Sequence, residues 1–197
     1  MSKDPRLLLA TFVLGGGLYG FATSSIPSPH DTSVFWIGNF CAPWLVLSFF
    51  AGRAQTSWRS ALIAGALTDV ACVGGFYLSF LTLDPVELGL SASTPLPTVA
   101  LTSLVRWLDF VAYWVLAGVI GGAVYGTLGR FWRRSRLLAA GLAVAAPFIA
   151  EPGLWPLRNG YYQGPWFLWA AQMVVGLAVA WRVLMLWRQQ PGHPQAL

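Results

Sequence analysis

The sequence predicts an all-α fold: one polytopic transmembrane bundle of six helices, with both termini in the cytoplasm. Three observations carry that reading. The chain is 56% hydrophobic and 10% charged over 197 residues, whereas soluble domains carry about 25% charged residues. Its apolar residues fall into six runs, approximately 7–26, 34–52, 61–83, 104–129, 137–157 and 166–187, most of them near the ~20 residues a helix needs to cross a bilayer. When those runs alternate in direction, ten of the twelve basic residues fall on one side: Lys3, Arg6, Arg53, Arg59, Arg130, Arg133, Arg134, Arg136, Arg182 and Arg188. Only Arg106 and Arg158 fall on the other. That asymmetry marks the cytoplasmic side. It also explains the net charge of +5 without a nucleic-acid partner; the partner it implies is the lipid bilayer. Eleven arginines against the single Lys3, with abundant Ala and Gly, point to a bacterium of high GC content.

Lys3 and Arg6 precede the first run, which carries Gly16 and Gly20 four residues apart. A signal peptide also begins with charge and an apolar stretch, and Ala22-Thr23-Ser24 has the composition of a cleavage site. This run is longer and richer in glycine than a compact h-region, which favours a span. PSPHDTS (27–33) has turn chemistry. The second run contains NFCAPW, in which Pro43 removes the hydrogen bond of the Asn39 carbonyl four residues earlier. A kink satisfied by a neighbouring helix is the plain reading, and a binding point at Asn39 the functional one.

The third run holds Asp69. Gly65, Ala66, Cys72, Val73, Phe76 and Phe80 share its face, with Tyr77 at the margin. A carboxyl group facing lipid at that depth costs several kcal/mol, and even protonated it needs a polar partner, so Asp69 is expected to face protein or a wet cavity. The stretch 84–103, with Asp84, Glu87 and many Pro, Ser and Thr residues, reads as the longest loop.

The fourth run is uncharged from Val111 to Leu128, with Arg106 and Asp109 at one end and Arg130, Arg133, Arg134 and Arg136 at the other. Arg106 and Asp109 are three residues apart, close enough to pair on one helix face. Gly118, Gly122 and Gly126 recur every four residues, the small-residue spacing that lets membrane helices approach backbone to backbone. This helix is therefore expected at the centre of the bundle, with Gly16 and Gly20 as the counterpart of its stripe. In the fifth run APFIAEPGLWP carries Pro147, Pro152 and Pro156 and should not form a regular helix. Glu151 lies inside it, with Arg158 as a candidate structural partner. Tyr161, Tyr162, Trp166 and Trp169 read as an aromatic belt. The last run carries Gln172 within it and Arg182 near its cytoplasmic end.

No nucleophile motif, metalloprotease motif, P-loop or dinucleotide fingerprint occurs, so the sequence reads as a non-enzyme. His30 and His193 have no ligand partner at useful spacing, and Cys41 and Cys72 read as buried small hydrophobes, so neither metal nor cofactor is expected. What remains is a set of intramembrane polar groups: Asp69, Asn39, Glu151, Gln172 and the Arg106/Asp109 pair.

The stretches GLYGFATS, APWLVLSFFAGR, AGALTDVA, GVIGGAVYGTLGRFWRR and the late AEP resemble an uncharacterised six-helix bacterial integral membrane family, common in actinobacteria and described only as a domain of unknown function. The resemblance covers most of residues 7–185 and implies a fold without implying an activity or any functional residue. In size and helix count the chain is also similar to the substrate-binding membrane subunits of energy-coupling-factor vitamin transporters, a likeness of architecture alone. Two functions follow as expectations. The first is binding or translocation of a small solute in a cavity between helices. The second is a non-catalytic membrane subunit that docks partner proteins through its glycine face and basic loops.

Overall fold

An apolar run with no water around it must satisfy its backbone internally, which a helix does. The structure, a computed structural model, describes residues 4–24, 41–78, 91, 93–159 and 166–189. Among these it is all-helical: α1 (Pro5–Ser24), α2 (Cys41–Ala54), α3 (Trp58–Tyr77), α4 (Leu96–Ser135), α5 (Leu138–Leu142), α6 (Ala146–Asn159) and α7 (Trp166–Arg188). Four of these seven helices, α1, α3, α4 and α7, are long and apolar enough to cross a membrane. The second predicted run is described only from Cys41 onward, and the fifth is divided between α5 and α6.

The division does not fall where the prolines suggest. Pro147, Pro152 and Pro156 all lie inside α6. Pro147 sits in its first turn, where the missing N–H has no intrahelical partner to lose. The break comes earlier, at 143–145, where Val144 N donates to Gly141 O at 3.2 Å and Ala145 N to Leu142 O at 2.9 Å. Those shorter-range bonds tighten the chain. A proline-rich start is equally compatible with α4, which begins at Leu96, so that residues 96–103, read as loop, are helix with Val99 and Ser103 buried on one side. Its 40 residues span about 60 Å, twice the ~30 Å hydrocarbon thickness.

The central helix is α3, not α4. Half of its membrane window is buried, against 17%, 19% and 22% for α1, α4 and α7. A reciprocal Ser57/Ser60 capping box starts it, Ser60 N donating to Ser57 Oγ at 3.1 Å and Ser57 N to Ser60 Oγ at 3.2 Å. Helix α1 lies along α3 in parallel: a methyl group at Gly16 would come within 2.9 Å of the Thr68 carbonyl oxygen, and one at Gly20 would strike the backbone at Cys72. Helix α4 runs antiparallel along an adjacent face, where Gly118 meets Val73, Gly122 meets Gly65 and Asp69, and Gly126 meets Ala61 and Gly65. The two predicted glycine stripes therefore never meet each other; each packs on α3. Helix α2 closes the group, with Gly52 against Gly126 and the Phe49 carbonyl against Gly129.

Two apolar layers flank this glycine level. Phe49, Trp132, Ala140, Val144 and Val183 fasten α2, α4, α5 and α7 at the arginine-rich end. Val73, Phe76, Tyr77 and Val111, with Trp44 against them, fill the other.

Gly65→Ala or Gly122→Ala should destabilise the protein by about 1–3 kcal/mol, the cost of an overpacked core. Gly74→Ala, where nothing lies within 4 Å of the added methyl, should stabilise it by up to ~1 kcal/mol through helix propensity. Apparent melting temperatures in detergent check both. Equal shifts would mean that the contacts are looser than described.

Candidate functional site

Asp69 lies eleven residues into α3, about 16 Å along the axis and thus near the ~15 Å half-thickness of the hydrocarbon layer. The backbone-to-backbone approach of α4 carries it inward, so the residue is only 4% exposed. Its carboxyl group lies against Gly121 of α4, where an added Cβ would be 3.6 Å from Oδ2 and 3.2 Å from Leu45 Cδ2 of α2. Its Oδ1 is buried and makes no hydrogen bond among the described residues.

Two further buried polar atoms on α2 share that condition, the Ser48 hydroxyl and the Trp44 indole N–H. Ser48 is one turn before Gly52, and Gly122 one turn before Gly126. The Gly52–Gly126 contact therefore places Ser48 at the level of Gly122, which touches Asp69. Trp44 is a turn further on, its ring 5.7 Å from that of Phe76. One carboxylate oxygen and two O–H or N–H groups thus border the same pair of turns of α4. Buried polar groups are normally paired (an unpaired one costs about 1–3 kcal/mol), so three in one neighbourhood single this level out. Neither Ser48 nor Trp44 stood out in the sequence. Their polar atoms are ordinary in a membrane helix until the partner helices are known. Thr68 beside Asp69 is satisfied locally, its hydroxyl donating to Ala64 O at 2.8 Å, and Cys72 is a buried free thiol.

The other candidate residues lie elsewhere. Gln172 Nε2 of α7 donates to Glu151 Oε2 of α6 at 2.8 Å, a bond that ties two helices together. Glu151 is thus held by Gln172; the Arg158 side chain and Asn39 are outside the described residues. Arg106 and Asp109 are both exposed on α4 and form no ion pair with each other. Twenty-four residues, about 36 Å of helix, separate Arg106 from Arg130, a little more than the ~30 Å thickness of a hydrocarbon layer.

At the Arg130 end the arginines do structural work. The last carbonyls of α2 have no intrahelical donors. Arg130 Nη1 donates to Gln55 O at 2.8 Å, and Arg133 Nη1 to the carbonyls of Arg53, Ala54 and Gln55 at 3.2, 3.2 and 3.3 Å. Positive charge at a helix C-terminus also complements its dipole. Arg130 lies over the Trp58 ring at 5.7 Å, and Trp58 packs on Phe131 at 4.4 Å. Burial, and then the neighbouring charges of Arg136 and Arg133, push the Arg53 guanidinium below its ordinary range, though an arginine keeps its proton at any physiological pH. Two cavities open here. One of about 590 Å³ is lined by Phe12, Phe50, Arg53, Ala54, Arg133 and Arg136. The other, about 230 Å³, shares Phe50 and Arg53 and continues along Trp132, Val179 and Val183.

No family model, no curated protein and no solved structure matches the chain.

Removing a satisfied partner and removing an unsatisfied group should have opposite consequences. Glu151→Ala leaves the buried Gln172 amide unpaired and should cost about 1–3 kcal/mol. Ser48→Ala deletes a hydroxyl that has no partner among the described residues and should leave the melting temperature unchanged or raised. A Ser48→Ala variant that melts as low as Glu151→Ala would show that the hydroxyl is bonded.

Proposed function

We propose that the chain is a six-span protein of a bacterial plasma membrane, both termini cytoplasmic, which binds or translocates a small solute between its helices without enzymatic chemistry of its own. The observation that carries this reading is the buried carboxylate oxygen of Asp69, unpartnered among the described residues and about halfway along α3. An intramembrane ionisable group is expensive, and the general reason to keep one is a solute, ion or proton path. With the Ser48 hydroxyl and the Trp44 N–H nearby, the level offers one acceptor and two donors. That combination suits a small solute with a hydrogen-bond donor or a positive charge, a proton included.

The orientation is supported by the run of the helices. α1 and α3 point one way and α2 and α4 the other, and the loop after α2 is bonded to the end of α4 through Arg130 and Arg133. Both basic loops therefore share one end, which the positive-inside rule assigns to the cytoplasm. The rival reading, a subunit that docks other proteins, would draw on the glycine face and the basic loops. Gly118, Gly122 and Gly126 are already filled by α3, which leaves that reading the loops alone.

Reporter fusions at Ser91 and Ser135 should report opposite sides of the membrane; the same side for both would remove the six-span topology. For the site, the full chain is reconstituted in liposomes loaded with a pH-sensitive dye, and proton entry is driven by a potassium diffusion potential. Asp69→Asn, which keeps the shape and removes the charge, should lower the flux at least tenfold at unchanged yield and melting temperature. Flux through Asp69→Asn and Asp69→Leu equal to that of the unaltered chain would transfer the case to the partner-subunit reading.

A further inference from the structure

We propose that the groove around the C-terminal end of α2 is a binding site for an anionic phospholipid, with its phosphate among Arg53, Arg133 and Arg136 and an acyl chain along the wall of Phe50, Trp132 and Val183. The chemistry of the two adjoining cavities, which share Phe50 and Arg53, is graded. The larger, about 590 Å³, gathers three guanidinium groups with Phe12 and Phe50. The smaller, about 230 Å³, shares Phe50 and Arg53 and is otherwise apolar except for Arg182. Neither the segment 53–60, from the end of α2 to the start of α3, nor the segment 129–138 contains an acidic residue.

Three like charges brought together from two helices are mutually repulsive, and an anion relieves that repulsion. Arg133 commits one nitrogen to the α2 carbonyls, while a guanidinium has five N–H donors. Arg53 lies over Phe50 at 5.9 Å and Arg136 over Trp132 at 5.4 Å, so both charges are held on the aromatic walls of the groove.

The backbone at Arg136 supports the same assignment. It ends α4 at φ 51°, ψ 31°, the one left-handed non-glycine residue among those described. Glycine is the usual residue there, and another side chain adds strain. Depth decides between a lipid and a soluble anion. Arg53 is at the end of α2, whereas the smaller cavity follows α7 from Leu186 back to Val179, seven residues or about 10 Å along it. The groove therefore runs from headgroup level down into hydrocarbon, the path of an amphiphile. Basic pockets between membrane helices at the cytoplasmic side recognise anionic headgroups in this way.

The test uses the full chain in detergent, titrated with dioleoylphosphatidylglycerol, dioleoylphosphatidylcholine or glycerol 3-phosphate, with bound species counted by native mass spectrometry. Phosphatidylglycerol should bind at least tenfold more tightly than phosphatidylcholine. Arg53→Gln and Arg136→Gly should each weaken it by about fivefold, the weight of one arginine near an anionic surface. Arg188→Gln, at the same end but outside the groove, should not. Arg136→Gly also removes the left-handed strain, so its melting temperature should hold or rise, and it decides the matter if Arg53→Gln misfolds. Equal affinity for the two phospholipids would overturn the proposal, as would an Arg188→Gln effect matching that of Arg136→Gly. Glycerol 3-phosphate binding as tightly as the lipid would make this a soluble-anion site and overturn it too.

Discussion

At Gly65 the carbonyl oxygen of Gly122 occupies the place where a side chain would begin, and at Gly52 the backbone of Gly126 does the same. Four of the helices are long and apolar enough to cross a membrane, and in a membrane such contacts would carry the fold, because the force that holds soluble helices together is withdrawn there. Lipid tails are as apolar as leucine, so burying Leu against Leu gains little. What remains is dispersion between surfaces that fit closely, small per atom pair and large when two backbones lie in continuous contact. Only residues without a side chain allow that approach. Gly16 and Gly20 of α1 use it on one face of α3, Gly118, Gly122 and Gly126 of α4 on the next, and Gly52 and Gly129 use it to bring in α2.

The same closeness sets the condition of Asp69. An acid in a soluble core can draw on water or turn toward a neighbour. Here the wall opposite is Gly121 and Gly122, which have no side chain to offer, and the flank is Leu45. The packing that stabilises the bundle thus removes the acid's partners, and Ser48 on α2 meets the same difficulty. A carboxyl group kept in such a place lowers stability relative to an apolar residue of its size, since apolar replacement of buried polar groups is often neutral or stabilising. On the proposed reading, its presence is accounted for by the solute it would contact and not by what it contributes to the fold.

Much of this was legible in the sequence, for reasons that can be stated residue by residue. The helices, the glycine spacing at Gly118, Gly122 and Gly126 and the inward orientation of Asp69 follow from local rules: length, period and the cost of charge in hydrocarbon. The identity of the central helix does not. A four-residue glycine stripe says that a helix is approached closely and not by which neighbour, so Gly16 and Gly20 looked like the natural counterpart. The segments around Pro147 and Pro95 differ from what the sequence predicts for a related reason. Proline starts a helix readily at its first turn, as Pro147 does, and further in it removes a hydrogen bond without ending α6 at Pro152 or Pro156. The Glu151–Gln172 bond crosses 21 positions, and Arg130 reaches a carbonyl 75 residues away. No periodicity announces such pairs.

The arginine-rich end shows how one residue type answers two physical demands at once. Charge asymmetry across the membrane needs cations on one side and is indifferent to where they point. The C-terminus of α2 needs donors at its free carbonyls, and there geometry matters: Arg130 and Arg133 supply them from α4 and join the two parallel helices at their ends. Lysine would satisfy the first demand and serve the second poorly, because its single ammonium lacks the planar fork that lets a guanidinium contact several carbonyls while presenting further donors elsewhere. Arg53 and Arg136 are held over aromatic rings beside that junction, and their charge is still directed into the groove. On the proposed topology, the end that orients the chain is thereby also the end that would draw an anion.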